Sequence, residues 1–597
     1  MIRYQISSDN PAAHYFDIKL QIDSPDPDGQ CLRMPAWIPG SYLIRDFAKN
    51  IVSLDAWCGG DTLAIRQQDK SNWRLEPCDG QLIVEYRVYA WDLSVRGAHL
   101  DQTHGYYNGT SVFLEVIGQS DSPCEVLIEK PVAACCRAWK LATTLAAKKA
   151  AAFEFGLYQA SSYDELVDHP VEMGEFTQIR FEACGVPHDV ILSGRFVCDE
   201  ARLKKDLGKI CEHHIKFFGE PAPIDYYQFL VMVVGQGSGG LEHRSSTSLI
   251  CGRESLPQPG QTEVSEAYRD FLGLCSHEYF HTWNIKRIKP AAYQPYDLQH
   301  EVYTDLLWAF EGITSYYDDL ALLRCGLIEQ DSYLELLAQT MTRVQQGKGS
   351  RRQSAAESSF NAWTKFYKQD ENAQNAIVSY YAKGCLIALC IDLKMRQLSH
   401  SKYSLDDVMR QLWTSWNDTG KGVEPNTIQD LVCSIVESDL HDFMQTLIYS
   451  SEALPLEELL TSIGIEMNFR CAGDQKDKGG KIHQGPLTEV DFGAFVEENN
   501  GGLKILRVRE DSSAQVAGLS ANDIIIAVND LRLTLPQLEK QLSLATVGEQ
   551  WKIHAFRRDE LMEFEITLAA ARNDIVVLQA DTPDQHRQAW FSGRLVQ

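Results

Sequence analysis

A chain of 597 residues has room for three or four domains and several separate cores. Hydrophobic residues make up 44% and charged residues 23%, the balance of a soluble globular protein, and no run of apolar residues is long enough to suggest a membrane span. The 82 acidic against 56 basic side chains, a formal charge of −26, argue against nucleic acid or an anionic membrane as a partner.

Met1-Ile2-Arg3-Tyr4-Gln5-Ile6-Ser7-Ser8 lacks the unbroken apolar core of a secretion signal, so a cytoplasmic setting is expected. The 16 cysteines are scattered, form no CxxC pair and read as reduced thiols. Residues 1–170 read as an N-terminal antiparallel β-sandwich. Strand-like runs such as Leu82-Ile83-Val84-Glu85-Tyr86-Arg87-Val88-Tyr89 alternate with turn signals at Pro39-Gly40, Gly59-Gly60, Asp79-Gly80 and Asn108-Gly109. Residues 146–152 are helix-prone by propensity, but their strand-like flanks argue against a helix.

A mostly helical domain is expected over 171–470. An amphipathic helix over 199–218 carries Leu203, Leu207, Ile210 and Ile215 on one face, which leaves His213-His214 on the solvated one. A strand and a glycine-rich turn at 235–240 follow, then helices over 263–283, 303–323 and 379–398. The Ser-, Arg- and Gln-rich stretch 347–359 reads as an exposed loop. His99 and His104 flank a strand-like stretch and read as packed or exposed histidines, with contact to substrate as the alternative. The Gly/Lys/Asp-rich stretch 471–486 marks a boundary, and strands with one short helix after it make a small domain over 485–575. The fold class is therefore multidomain α+β.

One segment carries chemistry. In His277-Glu278-Tyr279-Phe280-His281 the two histidines are four residues apart, so on a helix both imidazoles can reach one ion. Glu278 is rotated by about 100° from His277 and is placed to take a proton from the attacking water. Leu272, Leu274, Tyr279, Phe280 and Trp283 bury the helix nearly all round, and buried imidazoles and a carboxylate need partners, which a metal supplies. Glu311, inside the apolar turn Leu306-Leu307-Trp308-Ala309-Phe310-Glu311-Gly312-Ile313, is the candidate third ligand. Asp305 and Glu301 near the start of that helix read as exposed first-turn carboxylates, with the orienting of a ligand histidine as the alternative.

His277-Glu278-Tyr279-Phe280-His281-Thr282-Trp283-Asn284-Ile285-Lys286-Arg287-Ile288-Lys289-Pro290 resembles the signature of the glycyl aminopeptidase family of zinc metallopeptidases, gluzincins with a C-terminal PDZ domain. Leu307 to Tyr317, Pro35-Ala36-Trp37-Ile38-Pro39-Gly40-Ser41-Tyr42 and Val88-Tyr89-Ala90-Trp91-Asp92-Leu93-Ser94-Val95-Arg96 are similar to the family as well, so the resemblance covers nearly the whole chain. It implies a thermolysin-like catalytic domain holding one Zn2+ on His277, His281 and Glu311. It also implies a substrate with a free N-terminus from which glycine or alanine is removed. Gly239-Gly240-Leu241-Glu242-His243 resembles the exopeptidase motif of the wider gluzincin aminopeptidases, with Leu241 and His243 in place of Met and Asn. The likeness assigns Glu242 to the substrate's α-amino group, with Gly239 and Gly240 beside it. Tyr381, in Tyr380-Tyr381-Ala382-Lys383-Gly384, resembles the tyrosine that donates a hydrogen bond to the tetrahedral oxyanion; Tyr380 is its competitor, facing about 100° away. Residues 514–530 resemble the core of bacterial PDZ domains, with Phe492-Gly493-Ala494-Phe495 as the carboxylate-binding loop and its strand. A peptide or C-terminus ligand is implied there, with an inert spacer or a lid over the active site as the alternatives.

Two other function classes compete. A zinc endopeptidase would ignore a blocked substrate amine, whereas an aminopeptidase would stop. A PDZ-directed binding protein with a non-catalytic metal site would need four protein ligands and no open position.

Overall fold

The computed structural model describes residues 1–483 and 487–593. Its chain forms two compact units, one made of Met1–Val302 with Leu412–Val423, the other of Tyr303–Gln411 with residues 424–593.

The first unit opens on three β-sheets of eight, four and four strands. Alternation works as expected in Leu82–Tyr89, where Leu82, Val84, Tyr86 and Val88 point inward. Side chains from all three sheets, among them Leu20, Val84, Leu32, Trp73, Tyr107 and Met173, form one apolar core. The sandwich is not purely antiparallel. Ile2–Ser7 pairs antiparallel with Tyr15–Ile22 but parallel with Cys124–Ile128. The long excursion between the two parallel strands supplies the crossover such a pair needs. Residues 146 and 147 form a short strand against 158 and 159, as their flanks suggest.

A five-stranded sheet follows, with Phe176–Ala183 at one edge and Ser238–Glu242 at the other. Asp199 caps the helix Glu200–Phe218, its Oδ1 accepting from the Arg202 amide at 3.0 Å. His213 and His214, expected on a solvated face, are buried instead. The helix packs against both the sheet and the helix Glu266–Phe280, so it has two covered sides. His214 Nε2 lies 2.9 Å from Ser276 Oγ, and burial holds its pKa well below the ordinary histidine value. His99 and His104 are buried and paired. Their Nδ1 atoms are 3.2 Å apart, and His104 Nε2 lies 3.0 Å from Glu172 Oε2.

The second unit is helical, then β-rich. The helix expected over 303–323 begins late. A π-helical turn, Trp308–Gly312, runs into Ile313–Arg324. Upstream, Thr304 Oγ1 accepts from the Leu306 amide, a local bond that competes with helix formation, and Asp305 accepts from the Tyr449 hydroxyl at 2.9 Å. The supposed loop over 347–359 is also corrected. It holds a 3-10 turn, Lys348–Arg351, and a buried helix, Ala355–Phe360, nucleated by a capping box between Ser354 and Glu357. Its hydroxyls are satisfied internally, Ser358 donating to the Val378 carbonyl and Ser359 to that of Ala355. Ala373–Ser399, which ends in the helix Tyr380–Ser399, is long and apolar enough to cross a membrane, yet that helix is buried on nearly every side, as in a core helix.

A buried ion network ties this unit together. Asp406 accepts from Arg324 at 3.1 Å and from the Tyr317 hydroxyl at 2.8 Å, and Asp392 pairs with Arg396 at 3.1 Å. Burial pushes the Asp406 carboxyl up, but Arg324 and Arg396 outweigh it and hold the pKa at about 2, below the ordinary 3.8. A carboxyl depressed in this way stabilises the fold above its unfolded pKa, and that contribution is lost as pH falls through the folded one. Stability should therefore drop between about pH 4 and pH 2. Asp406→Asn should cost about 3 kcal/mol at neutral pH, measured by urea unfolding, and should flatten that acid limb.

The C-terminal domain is a sheet in the order Ala494–Asn499, Gly502–Val508, Ile524–Val528, Gln550–Arg557 and Glu560–Thr567, with the helix Leu535–Leu544 and an apolar core of its own.

Candidate active site

In the first unit Ser265 caps the helix Glu266–Phe280, whose last turn carries His277 and Glu278; His281 follows at its C-cap. The imidazoles of His277 and His281 are 4.6 Å apart, edge to face at 88°. His281 Nδ1 lies 2.8 Å from the Asn284 carbonyl. A carbonyl only accepts, so Nδ1 carries the proton and Nε2 presents its lone pair, the tautomer a metal ligand needs. Aromatic rings lock the helix behind the site. Trp283 stacks on Phe218 at 4.8 Å, Tyr279 packs on Tyr227 at 4.8 Å, and the Tyr279 hydroxyl lies 2.9 Å from His188 Nε2.

Two carboxylates converge here. Glu278 is 5% exposed and Glu242 4%. Glu242 ends the edge strand Ser238–Glu242, so it is an edge-strand charge that is nonetheless buried. An oxygen of Glu242, an oxygen of Glu278 and a ring nitrogen of His281 all lie within 4.8 Å of one another. Both carboxylates rest on glycines. A Cβ at Gly240 would collide with the Glu278 carboxylate, and a Cβ at Gly40 would collide with that of Glu242. Gly40 also has φ +92°, a backbone conformation that favours glycine. Glu242 Oε1 is buried with no hydrogen-bond partner among the described residues. A buried carboxylate oxygen in that state calls for a cationic ligand.

Glu311 and Tyr381, the other residues predicted from the sequence, lie in the second unit. Glu311, 2% exposed, sits on the π-turn Trp308–Gly312, a backbone form that recurs at functional sites. Gly312 and Gly384 allow this turn to lie directly on the helix Tyr380–Ser399, since a Cβ on either would meet the other element's backbone. Tyr381 is in the first turn of that helix and half-buried, whereas Tyr380 is fully buried. Of the two rings, Tyr381 is the one with surface to offer a substrate.

A model of the M61 glycyl aminopeptidase domain matches residues 270–387, a model of the peptidase M61 N-terminal domain matches 3–175, and a PDZ domain model matches 490–568. The crystal structure of an aminopeptidase N family protein from Idiomarina loihiensis is 44% identical, with a TM-score of 0.96 over 99% of this chain and 100% of that one. The chain belongs to the M61 glycyl aminopeptidase family. It is a metalloaminopeptidase with a C-terminal PDZ domain. An M1 zinc metallopeptidase from Deinococcus radiodurans has a TM-score of 0.47 at 12% identity, over 76% of this chain and 94% of that one. No curated protein matches the chain.

His277, Glu278, His281, Glu311 and Tyr381 all fall inside the matched catalytic segment, whereas Glu242 and Gly40 lie outside it. The structure adds residues that sequence reasoning missed. Asp168, from the N-terminal region, accepts from Lys286 Nζ at 2.8 Å and from the Arg244 amide at 3.1 Å, and lies 3.5 Å from His243 Nδ1. Burial raises its pKa, but Lys286 and Arg244 prevail and hold it well below the usual carboxylate range. This anion pins residues 243 and 244, next to Glu242, to the segment following His281. Lys383, buried in the second unit, donates to the Ser450 carbonyl at 3.2 Å and anchors the helix behind Tyr381; burial lowers its pKa to about 8.

Proposed function

We propose that this chain is a zinc-dependent aminopeptidase that removes small N-terminal residues, glycine and alanine above others, from peptides. One Zn2+ would be held by His277, His281 and Glu311. The fixed tautomer of His281 and the donor set of two imidazoles and one carboxylate fit that ion. When bound, zinc supplies Lewis-acid activation of water and of the scissile carbonyl.

The protein's own groups do the rest. Glu242 holds the substrate ammonium and fixes the cleavage point one residue in. Gly239 and Gly240 leave the edge strand bare, so an extended substrate can lie along its backbone. Glu278 takes the proton of the attacking water and passes it to the leaving amine. The Tyr381 hydroxyl donates to the oxyanion as it forms. The observation that carries this reading is the meeting of the Glu242 and Glu278 carboxylates with the His281 imidazole, an amine anchor beside a base. It favours exopeptidase over endopeptidase action, because an internal segment brings no ammonium to Glu242. The cytoplasm is the proposed setting, in keeping with cysteines that are all free thiols.

A panel of aminoacyl p-nitroanilides, with and without chelator, tests the proposal. Glycyl and alanyl substrates should turn over fastest, N-acetylation should abolish cleavage, and chelation should stop the reaction until zinc is restored. Cleavage of N-acetylated substrates at the rate of free ones would overturn it.

A further inference from the structure

PDZ domains take a peptide as an added strand along a sheet edge and can hold its terminal carboxylate on backbone N–H groups. Here the edge is Ala494–Asn499 and the loop before it is Phe492-Gly493. Groups of this same chain already hold key donors of both. Gln475 Oε1 accepts the Val496 amide at 2.9 Å. Asp491 Oδ1 accepts the Gly493 amide at 2.8 Å and also pairs with Arg509. Gly473, Asp474 and Gln475 line one cavity together with Phe495, Leu538 and Leu542, the strand and helix faces between which an added strand would lie.

The covering segment is tied down independently. Asp477 accepts from Arg470 at 3.0 Å, from the Gly473 amide at 2.8 Å and from the Gly479 amide at 3.0 Å. The domain itself is fastened to the helical part of its unit. Asn375 donates to the Val508 carbonyl at 3.0 Å and accepts from the Glu510 amide at 3.1 Å, and Arg352 pairs with Glu510 at 2.6 Å.

We infer that the PDZ groove is closed in cis, its occupant being residues 473–477 of the segment that leads into the domain. Gln475 stands where the backbone carbonyl of an added strand would accept, and Asp491 stands where a C-terminal carboxylate would. A free C-terminus would find the Gly493 amide and the Arg509 guanidinium already engaged by Asp491, and any added strand must first displace Gln475. The domain thus serves as a fixed wall of its unit, not as an open peptide trap.

Hydrogen exchange on the full-length chain tests this. In the wild type the Val496 amide should be protected, and Gln475→Ala should speed its exchange about five- to tenfold, the effect of one lost hydrogen bond, with the rest of the sheet unchanged. Equal exchange at Val496 in the two proteins would overturn the inference. A second measurement uses a fluorescein-labelled Ala-Ala-Val-Val-Leu peptide with a free or amidated C-terminus. The wild type should bind neither; saturable, carboxylate-dependent binding by the wild type would overturn the inference as well.

Discussion

Glu278→Gln should lower kcat on a glycyl p-nitroanilide by roughly three orders of magnitude, the size of a lost general base on an activated water. Glutamine is nearly isosteric, so the fit against Gly240 survives and bound zinc, measured by atomic absorption, should stay at the wild-type level. The change removes only the ability to accept and return a proton. KM should move little, because the proposed anchor of the substrate ammonium is Glu242 and not Glu278. Wild-type activity in this variant would end the proposed chemistry. Loss of zinc along with activity would instead assign Glu278 to the metal.

How much of this was legible in the sequence depends on whether the information is local. The i, i+4 spacing of His277 and His281 is a property of one helix turn, so it could be read directly, and Glu278 with it. The β-rich N-terminal domain showed in its alternation and turns for the same reason. Long-range steric and ionic pairings left no trace. Nothing near Gly40 says that its missing Cβ makes room for Glu242, and nothing near Asp168 points to Lys286. His213-His214 were misread because an amphipathic pattern presumes one covered face, whereas that helix packs on a sheet and on a second helix. The stretch 347–359 was misread because polar composition was equated with exposure. Ser358 and Ser359 are buried at low cost once their hydroxyls donate to backbone carbonyls. Tyr380 and Tyr381 were separable only in part. Adjacency on a helix says that they face different ways, and packing then decides which ring is buried.

The amine anchor offers the second large effect. Glu242→Gln should reduce kcat/KM on free-amine substrates roughly a hundredfold, about 3 kcal/mol, because a buried ammonium loses its counter-charge. The loss should be confined to that interaction. The wild type's large preference for a free over an acetylated N-terminus should shrink in the variant, since neither substrate then finds a charge to meet. Gly40→Ala should have a related effect without touching a charged group. Its Cβ would displace the Glu242 carboxylate, and the residue would be strained at φ +92° besides. KM for glycyl substrates should rise and kcat should fall with it, because an anchor that is misplaced binds the amine in the wrong register as well as more weakly. If Gly40→Ala keeps full activity, Glu242 does not need its present seat. If Glu242→Gln keeps the wild-type discrimination against acetylated substrates, the ammonium is held elsewhere and the buried oxygen of Glu242, unpartnered among the described residues, has another purpose.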